Sequence, residues 1–108
     1  MYTYKAHIAN VVDGDTVDAL IFLGFNLTAK LRLRLAGIDT PERGQPGFYE
    51  AKEFVTNSVL GKEVTITTYK SSKYGYYLAD IKVDGFDTTI NEELMMRGLA
   101  KPYAGGAK

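Results

Sequence analysis

Three short stretches of this sequence combine the residue types that handle charged oxygen chemistry. Asp13-Gly14-Asp15-Thr16 sets two carboxylates on either side of a glycine. Asp39-Thr40-Pro41-Glu42 sets two more on one loop, shortly after Arg34. Carboxylate and carbonyl oxygens are the ligands that hard cations such as Ca2+ or Mg2+ take. Each stretch also has a plainer reading. Asp-Gly is ordinary turn chemistry, and Asp-Thr-Pro-Glu can simply cap a helix or turn. Lys70-Ser71-Ser72-Lys73-Tyr74-Gly75-Tyr76-Tyr77 interleaves basic and phenolic side chains. That pattern suits contact with phosphate and base, and equally an ordinary polar loop before a strand. His7 is the only histidine. It falls mid-strand, opposite Tyr4, Ala6 and Ile8, and no serine or acid motif points to it. It reads as a structural or surface residue.

The segments that must position these residues are mostly strands. Tyr2, Tyr4, Ala6 and Ile8 alternate with polar or small residues. Asp13-Gly14-Asp15 breaks that pattern as a turn, and Thr16 to Leu23 is a second β-rich run. Gly24-Phe25-Asn26 turns the chain again. Leu27, Ala29, Leu31, Leu33 and Leu35 then alternate without a fault, so Arg34 lies on the face away from the apolar row. From Gly47 to Leu60 the period becomes helical, through Phe48, Ala51, Phe54 or Val55, and Val59, and Gly61 stops it. Val64 and Ile66 mark a fourth strand, and Tyr77, Ala79, Ile81 and Val83 a fifth. Asp84-Gly85 is a turn. A second helix follows, with a capping box from Thr89 and Glu92. Gly98 fits its left-handed end, where Leu99 can fold back on Leu94. Five short strands with a helix between the third and fourth predict an α+β, mainly β domain: a five-stranded OB-type β-barrel with two helices.

The bulk numbers agree. The 108 residues suit one domain, 1–108, and 45% hydrophobic content supports a modest core. The absence of cysteine excludes disulfides, thiolate metal sites and cysteine nucleophiles. No apolar run approaches ~20 residues, so no membrane span is expected, and the N-terminus lacks the apolar stretch of a signal peptide. Thirteen Lys and Arg balance thirteen Asp and Glu. Zero net charge argues against non-specific coating of DNA, but not against a few basic residues meeting one phosphate.

Taken together, the clusters resemble the staphylococcal nuclease (thermonuclease) family. The likeness runs through Val11-Val12-Asp13-Gly14-Asp15-Thr16-Val17 and Leu33-Arg34-Leu35-Ala36-Gly37-Ile38-Asp39-Thr40-Pro41-Glu42. It continues in Lys73-Tyr74-Gly75 with Leu78-Ala79, and in Asn91-Glu92-Glu93-Leu94 with Arg97-Gly98-Leu99-Ala100-Lys101. The resemblance implies an OB-fold nuclease that uses Ca2+, with Mg2+ less effective, to hydrolyse single-stranded DNA or RNA. It implies Asp15 and Asp39 as metal carboxylates and the Thr40 carbonyl as a third ligand. Asp13 would support the metal site from behind. Glu42 would act through water, and Arg34 would bind the scissile phosphate. Lys70, Lys73, Tyr74 and Tyr103 would line the nucleotide pocket.

The sequence departs from the family at one catalytic position. Tyr76 stands where a second arginine follows the Lys-Tyr-Gly motif. A phenol donates one hydrogen bond and carries no positive charge near neutral pH. The loop from Glu42 to Ala51 is short, and the family's third helix has no counterpart after Lys101. Its absence fits a shortened chain, a minimal family member, or a surface that another subunit would cover. Two readings result: a metal-dependent phosphodiesterase of reduced activity, or a weak or inactive module that binds nucleic acid or protein.

Overall fold

The faultless alternation from Leu27 to Leu35 becomes strand β3 (Leu27–Leu35), with Leu33 and Leu35 buried and Arg34 on the opposite face. It follows β1 (Tyr2–Asp13) and β2 (Thr16–Gly24), and precedes β4 (Ile38–Asp39). The rest of the chain forms α1 (Phe48–Val59), β5 (Glu63–Thr68), β6 (Tyr77–Val83), α2 (Ile90–Met96) and β7 (Lys101–Pro102). The computed structural model describes residues 2–69 and 77–103. The expected barrel forms: β1, β2, β3, β6 and β5 close in that order. All neighbours are antiparallel except β3 and β6, which pair parallel over Leu33–Leu35 and Tyr77–Ala79. The two-residue strands β4 and β7 pair beside the barrel, Asp39 opposite Lys101.

Strand β1 runs on to Asp13, past the alternating stretch of its first half. Its register against β2 shifts at Ala9 and again at Val12. A β-bulge inserts one residue and turns the side chains beyond it to the other face. The first shift keeps Val11 in the core with Ala6 and Ile8, although their positions differ in parity. The second places Asp13 opposite Thr16, which in turn pairs with Arg34. Two bulges therefore deliver Asp13 to the barrel's outer face beside the arginine.

Helix α1 buries Phe48, Ala51, Val55 and Val59. Of the two choices at the third inward position, Val55 is core. Phe54 is half-buried beneath the Arg97 guanidinium, 4.7 Å from its ring centroid. Where α1 passes the β1–β2 turn, the backbones approach closely. A Cβ on Gly14 would lie 2.8 Å from the Ala51 Cβ and 2.9 Å from Thr40 Oγ1. Only glycine fits there without displacing the loop that carries Asp39 and Thr40.

The capping box of α2 forms as expected. Thr89 accepts from the Glu92 N–H, and the Glu92 carboxylate accepts from the Thr89 N–H. The helix ends in a Schellman motif, with Gly98 at φ +72° and the Leu99 N–H bonded to the Leu94 carbonyl. Between these ends, the buried Asn91 clamps three segments together. Its amide donates to the carbonyls of Ala36 (2.9 Å) and Ala79 (3.1 Å) and accepts from the Ile81 N–H (3.2 Å). Truncation to alanine removes the partner of the Ala36 carbonyl and of the Ile81 N–H, while the Ala79 carbonyl keeps the Ala36 N–H, and each lost partner costs about 1–3 kcal/mol. Asn91→Ala is therefore expected to lower unfolding stability by roughly 3 kcal/mol, read by urea denaturation. A loss below ~1 kcal/mol would show that the clamp contributes little.

Candidate active site

The β1–β2 turn, the outer face of β3 and the loop after β4 converge on Arg34. Its Nη2 donates to Asp39 Oδ1 at 2.7 Å, and its Nη1 lies 3.3 Å from Asp15 Oδ2. Side-chain exposure is 15% for Arg34, 13% for Asp15 and 26% for Asp39, so water screens this cluster only partly. Nη1 is buried and, despite the proximity of Asp15, makes no aligned hydrogen bond. One prong of the fork is thus attracted by charge while its N–H geometry remains unmet. The Tyr103 ring sits against the same guanidinium, 5.6 Å from Cζ, and the Tyr103 N–H bonds to the Gly37 carbonyl at 2.9 Å.

Asp15 is fixed by local bonds. Its Oδ2 accepts from the Thr40 N–H (3.2 Å) and its Oδ1 from the Thr16 hydroxyl (3.2 Å). Asp13 in turn accepts from the Asp15 N–H (3.1 Å). This is the Asx-type turn that an Asp-Gly-Asp stretch favours. Desolvation by burial, with Asp15 as a like-charged neighbour, pushes the Asp13 carboxyl up to about 6. The shift records chiefly how far this carboxyl is removed from water, with repulsion from Asp15 adding to it.

Glu42 is exposed on the same loop. Its N–H donates to Gln45 Oε1 (2.8 Å), and the Gln45 N–H returns a bond to the Glu42 carbonyl (2.9 Å). Asp39, Thr40 and Glu42 share a cleft of about 610 Å³ whose far wall includes Leu99 and Lys101. Gln45 carried no signal in the sequence, and Lys101 only as the end of a family-like stretch with no role attached. Lys101 reaches the cleft only through a two-residue strand pair, which has no periodicity to detect.

The structure therefore brings together Asp13, Asp15, Arg34, Asp39, Thr40 and Tyr103, and sets Glu42 on the rim of the same cleft. Lys70, Lys73, Tyr74 and Tyr76 lie outside the described residues. Among the described residues, no group of three or more His, Cys, Asp or Glu side chains is close enough to hold a metal by itself. Two carboxylates and a carbonyl suit a hard cation whose remaining positions go to water and phosphate oxygens. The oxygen-only donor set fits such an ion.

Comparison with known proteins agrees with this geometry. The family model for staphylococcal nuclease homologues matches residues 32–107. The chain is 38% identical over 77 residues to a probable staphylococcal-like nuclease CAN1 of Oryza sativa subsp. japonica, covering 71% of this chain and 23% of that one. It is 29% identical over 107 residues to a micrococcal nuclease of Shigella flexneri, covering 93% of this chain and 59% of that one. It is 29% identical over 97 residues to an uncharacterized endonuclease of Escherichia coli O157:H7, covering 89% and 59%. The chain thus spans 23% to 59% of the length of these curated relatives. On the family match, and on a closed five-stranded barrel carrying its motifs in order, this chain belongs to the staphylococcal nuclease homologues.

Proposed function

We propose that this chain is a metal-dependent phosphodiesterase acting on DNA or RNA. The observation that carries the reading is Arg34, held between Asp15 and Asp39 with one buried prong unmet, beside a cleft rimmed by Glu42. A phosphodiester resists attack because its own charge repels nucleophiles. A guanidinium fork can bind two of its oxygens and stabilise the charge that grows there. Glu42, exposed and fixed by its backbone, can orient and deprotonate a water for in-line attack. Asp15, Asp39 and the Thr40 carbonyl would hold Ca2+, with Mg2+ less effective. Such a cation supplies Lewis-acid polarisation of a phosphoryl oxygen. Tyr103 would bound the nucleotide pocket from the Arg34 side, with Lys70, Lys73 and Tyr74 as its further contacts. Tyr76 favours a second reading, a binding module of low activity. Loss of one preorganised donor to a developing charge lowers rates by roughly 10²–10³.

Ca2+ is expected to stabilise the fold by linkage. At about a hundred times its Kd it adds roughly 2.7 kcal/mol, a rise of roughly 10 °C or more in Tm at this chain length. Asp39→Asn should abolish the shift, and an equal shift in wild type and variant would sink the cation site. Cleavage of single-stranded DNA is expected with Ca2+, lost with chelator and lost in Glu42→Gln. Activity at the same level in that variant would remove Glu42 from the chemistry. Tyr76→Arg is expected to raise the rate by about tenfold or more. Absence of any cleavage above the Glu42→Gln background would make the binding module the correct reading.

A further inference from the structure

The outer face of the β1–β2–β3 sheet leads away from Arg34 in regular rows. Strand register aligns Asn10, Asp18 and Arg32 in the first row beyond the site. His7, Leu20 and Lys30 form the next row, and Lys5, Phe22 and Thr28 the third. Cation and aromatic positions thus succeed one another along one face. Asp18 holds the Arg32 guanidinium by two bonds, from Nε at 2.8 Å and Nη2 at 3.2 Å, which fixes it along the sheet. Lys5 pairs with Asp84 at 2.9 Å, but both are more than half exposed, so that pair is weak and open to exchange. Phe22 is 39% exposed on this face.

The end of the face is anomalous. The β2–β3 turn places Phe25 at φ 53° and Asn26 at φ 63°, both left-handed. Tight hairpin turns of this kind favour Asn, Asp or Gly. For phenylalanine the left-handed region costs about 1–2 kcal/mol. The ring is also 96% exposed, so burial returns nothing. No charged residue lies between Asp18 and Lys30. The fold does not explain an aromatic side chain here, whereas a ligand with flat rings does.

We propose that this face is a track for single-stranded nucleic acid, running from Arg34 along β3 to the hairpin tip. Phosphates lie against Arg32 and Lys30, and bases stack on Phe22 and Phe25. The proposal rests on the nuclease reading in placing the first phosphate at Arg34. Side chains on one face of a strand repeat every ~6.8 Å, which suits one nucleotide of an extended strand. From Arg34 to Phe25 the backbone spans roughly 30 Å, so the track takes about four or five nucleotides, within the range of single-strand sites on OB folds. In a duplex the bases are stacked on each other and cannot reach either ring, so the track selects single strands.

The test is fluorescence anisotropy with labelled oligothymidylates of three, six and twelve nucleotides and a twelve-base-pair duplex, all in chelator. Affinity is expected to rise about tenfold or more from three to six nucleotides, then to level off, with the duplex weaker than the twelve-mer. Phe25→Gly relieves the left-handed backbone and should fold at least as stably, yet bind the six-mer about tenfold more weakly. Lys30→Glu should reduce the salt dependence of binding by about 0.7 in log–log slope or more. Equal affinity for three and six nucleotides, or an unaltered six-mer affinity in Phe25→Gly, overturns the track. If Phe25→Gly instead abolishes sedimentation with anionic lipid vesicles while oligonucleotide binding shows no length dependence, the tip belongs to a lipid surface and the proposal fails. Because binding is read without cleavage, length dependence in a chain that cleaves nothing would sink the nuclease reading and leave the track standing.

Discussion

Arg34 lies 2.7 Å from Asp39 and 3.3 Å from Asp15, with all three side chains mostly removed from water. Both carboxylates share that one countercharge. The arrangement ties the β1–β2 turn to β3 and to β4. In clusters of this kind, removing one member costs roughly 3–5 kcal/mol because the others stay buried and uncompensated. On the proposed reading, the same guanidinium that balances the acids would also bind a phosphate. These two demands compete. A cation bound to Asp15 and Asp39 would ease the competition, since it would take over the neutralising role. Structure and chemistry at this site are therefore one electrostatic problem.

Local packing serves that cluster. Gly14 has no Cβ because Ala51 and Thr40 occupy the space. The Thr40 N–H can then reach Asp15 at 3.2 Å. Asn91, far from Arg34 in sequence, ties Ala36 to Ala79 and Ile81. The strand that bears the arginine is thus held to its parallel neighbour just past the end of their pairing.

Much of this was legible in the sequence where period or capping chemistry carries the signal. Leu27 to Leu35 could only be a strand with Arg34 outward, and Thr89 with Glu92 marked a helix start. The clusters at Asp13 and Asp39 stood out because four acids and an arginine recur at short spacing. Two kinds of feature were not legible. The bulges at Ala9 and Val12 leave no readable trace in the alternation, because Asn10 is the only polar residue in Ala9-Asn10-Val11-Val12 and one contrast does not fix a register. Long-range pairings, such as Asp39 opposite Lys101, depend on where distant segments arrive, and the Gln45 bond to the Glu42 backbone is loop geometry with no periodic signal. The choice between Phe54 and Val55 was also open. Both fit a helical period, and Arg97 decides it by covering the aromatic ring.

The barrel closes unevenly. Strands β2 and β3 pair along their whole length, whereas β3 meets β6 over only Leu33–Leu35, with the Ala36 N–H to Ala79 carbonyl bond beyond. The polar residues of the acid–arginine site, Asp13 through Glu42, lie in one continuous stretch on the hairpin side of that seam. Local opening starts where few pairs must break. Parting of β3 from β6 would therefore loosen the barrel without dispersing the charges. The site belongs to the β1–β2–β3 side of the barrel, so in amide exchange the Ala36 N–H, bonded to the Ala79 carbonyl, should lose protection while the Leu35 N–H, bonded to the Asp15 carbonyl, stays protected.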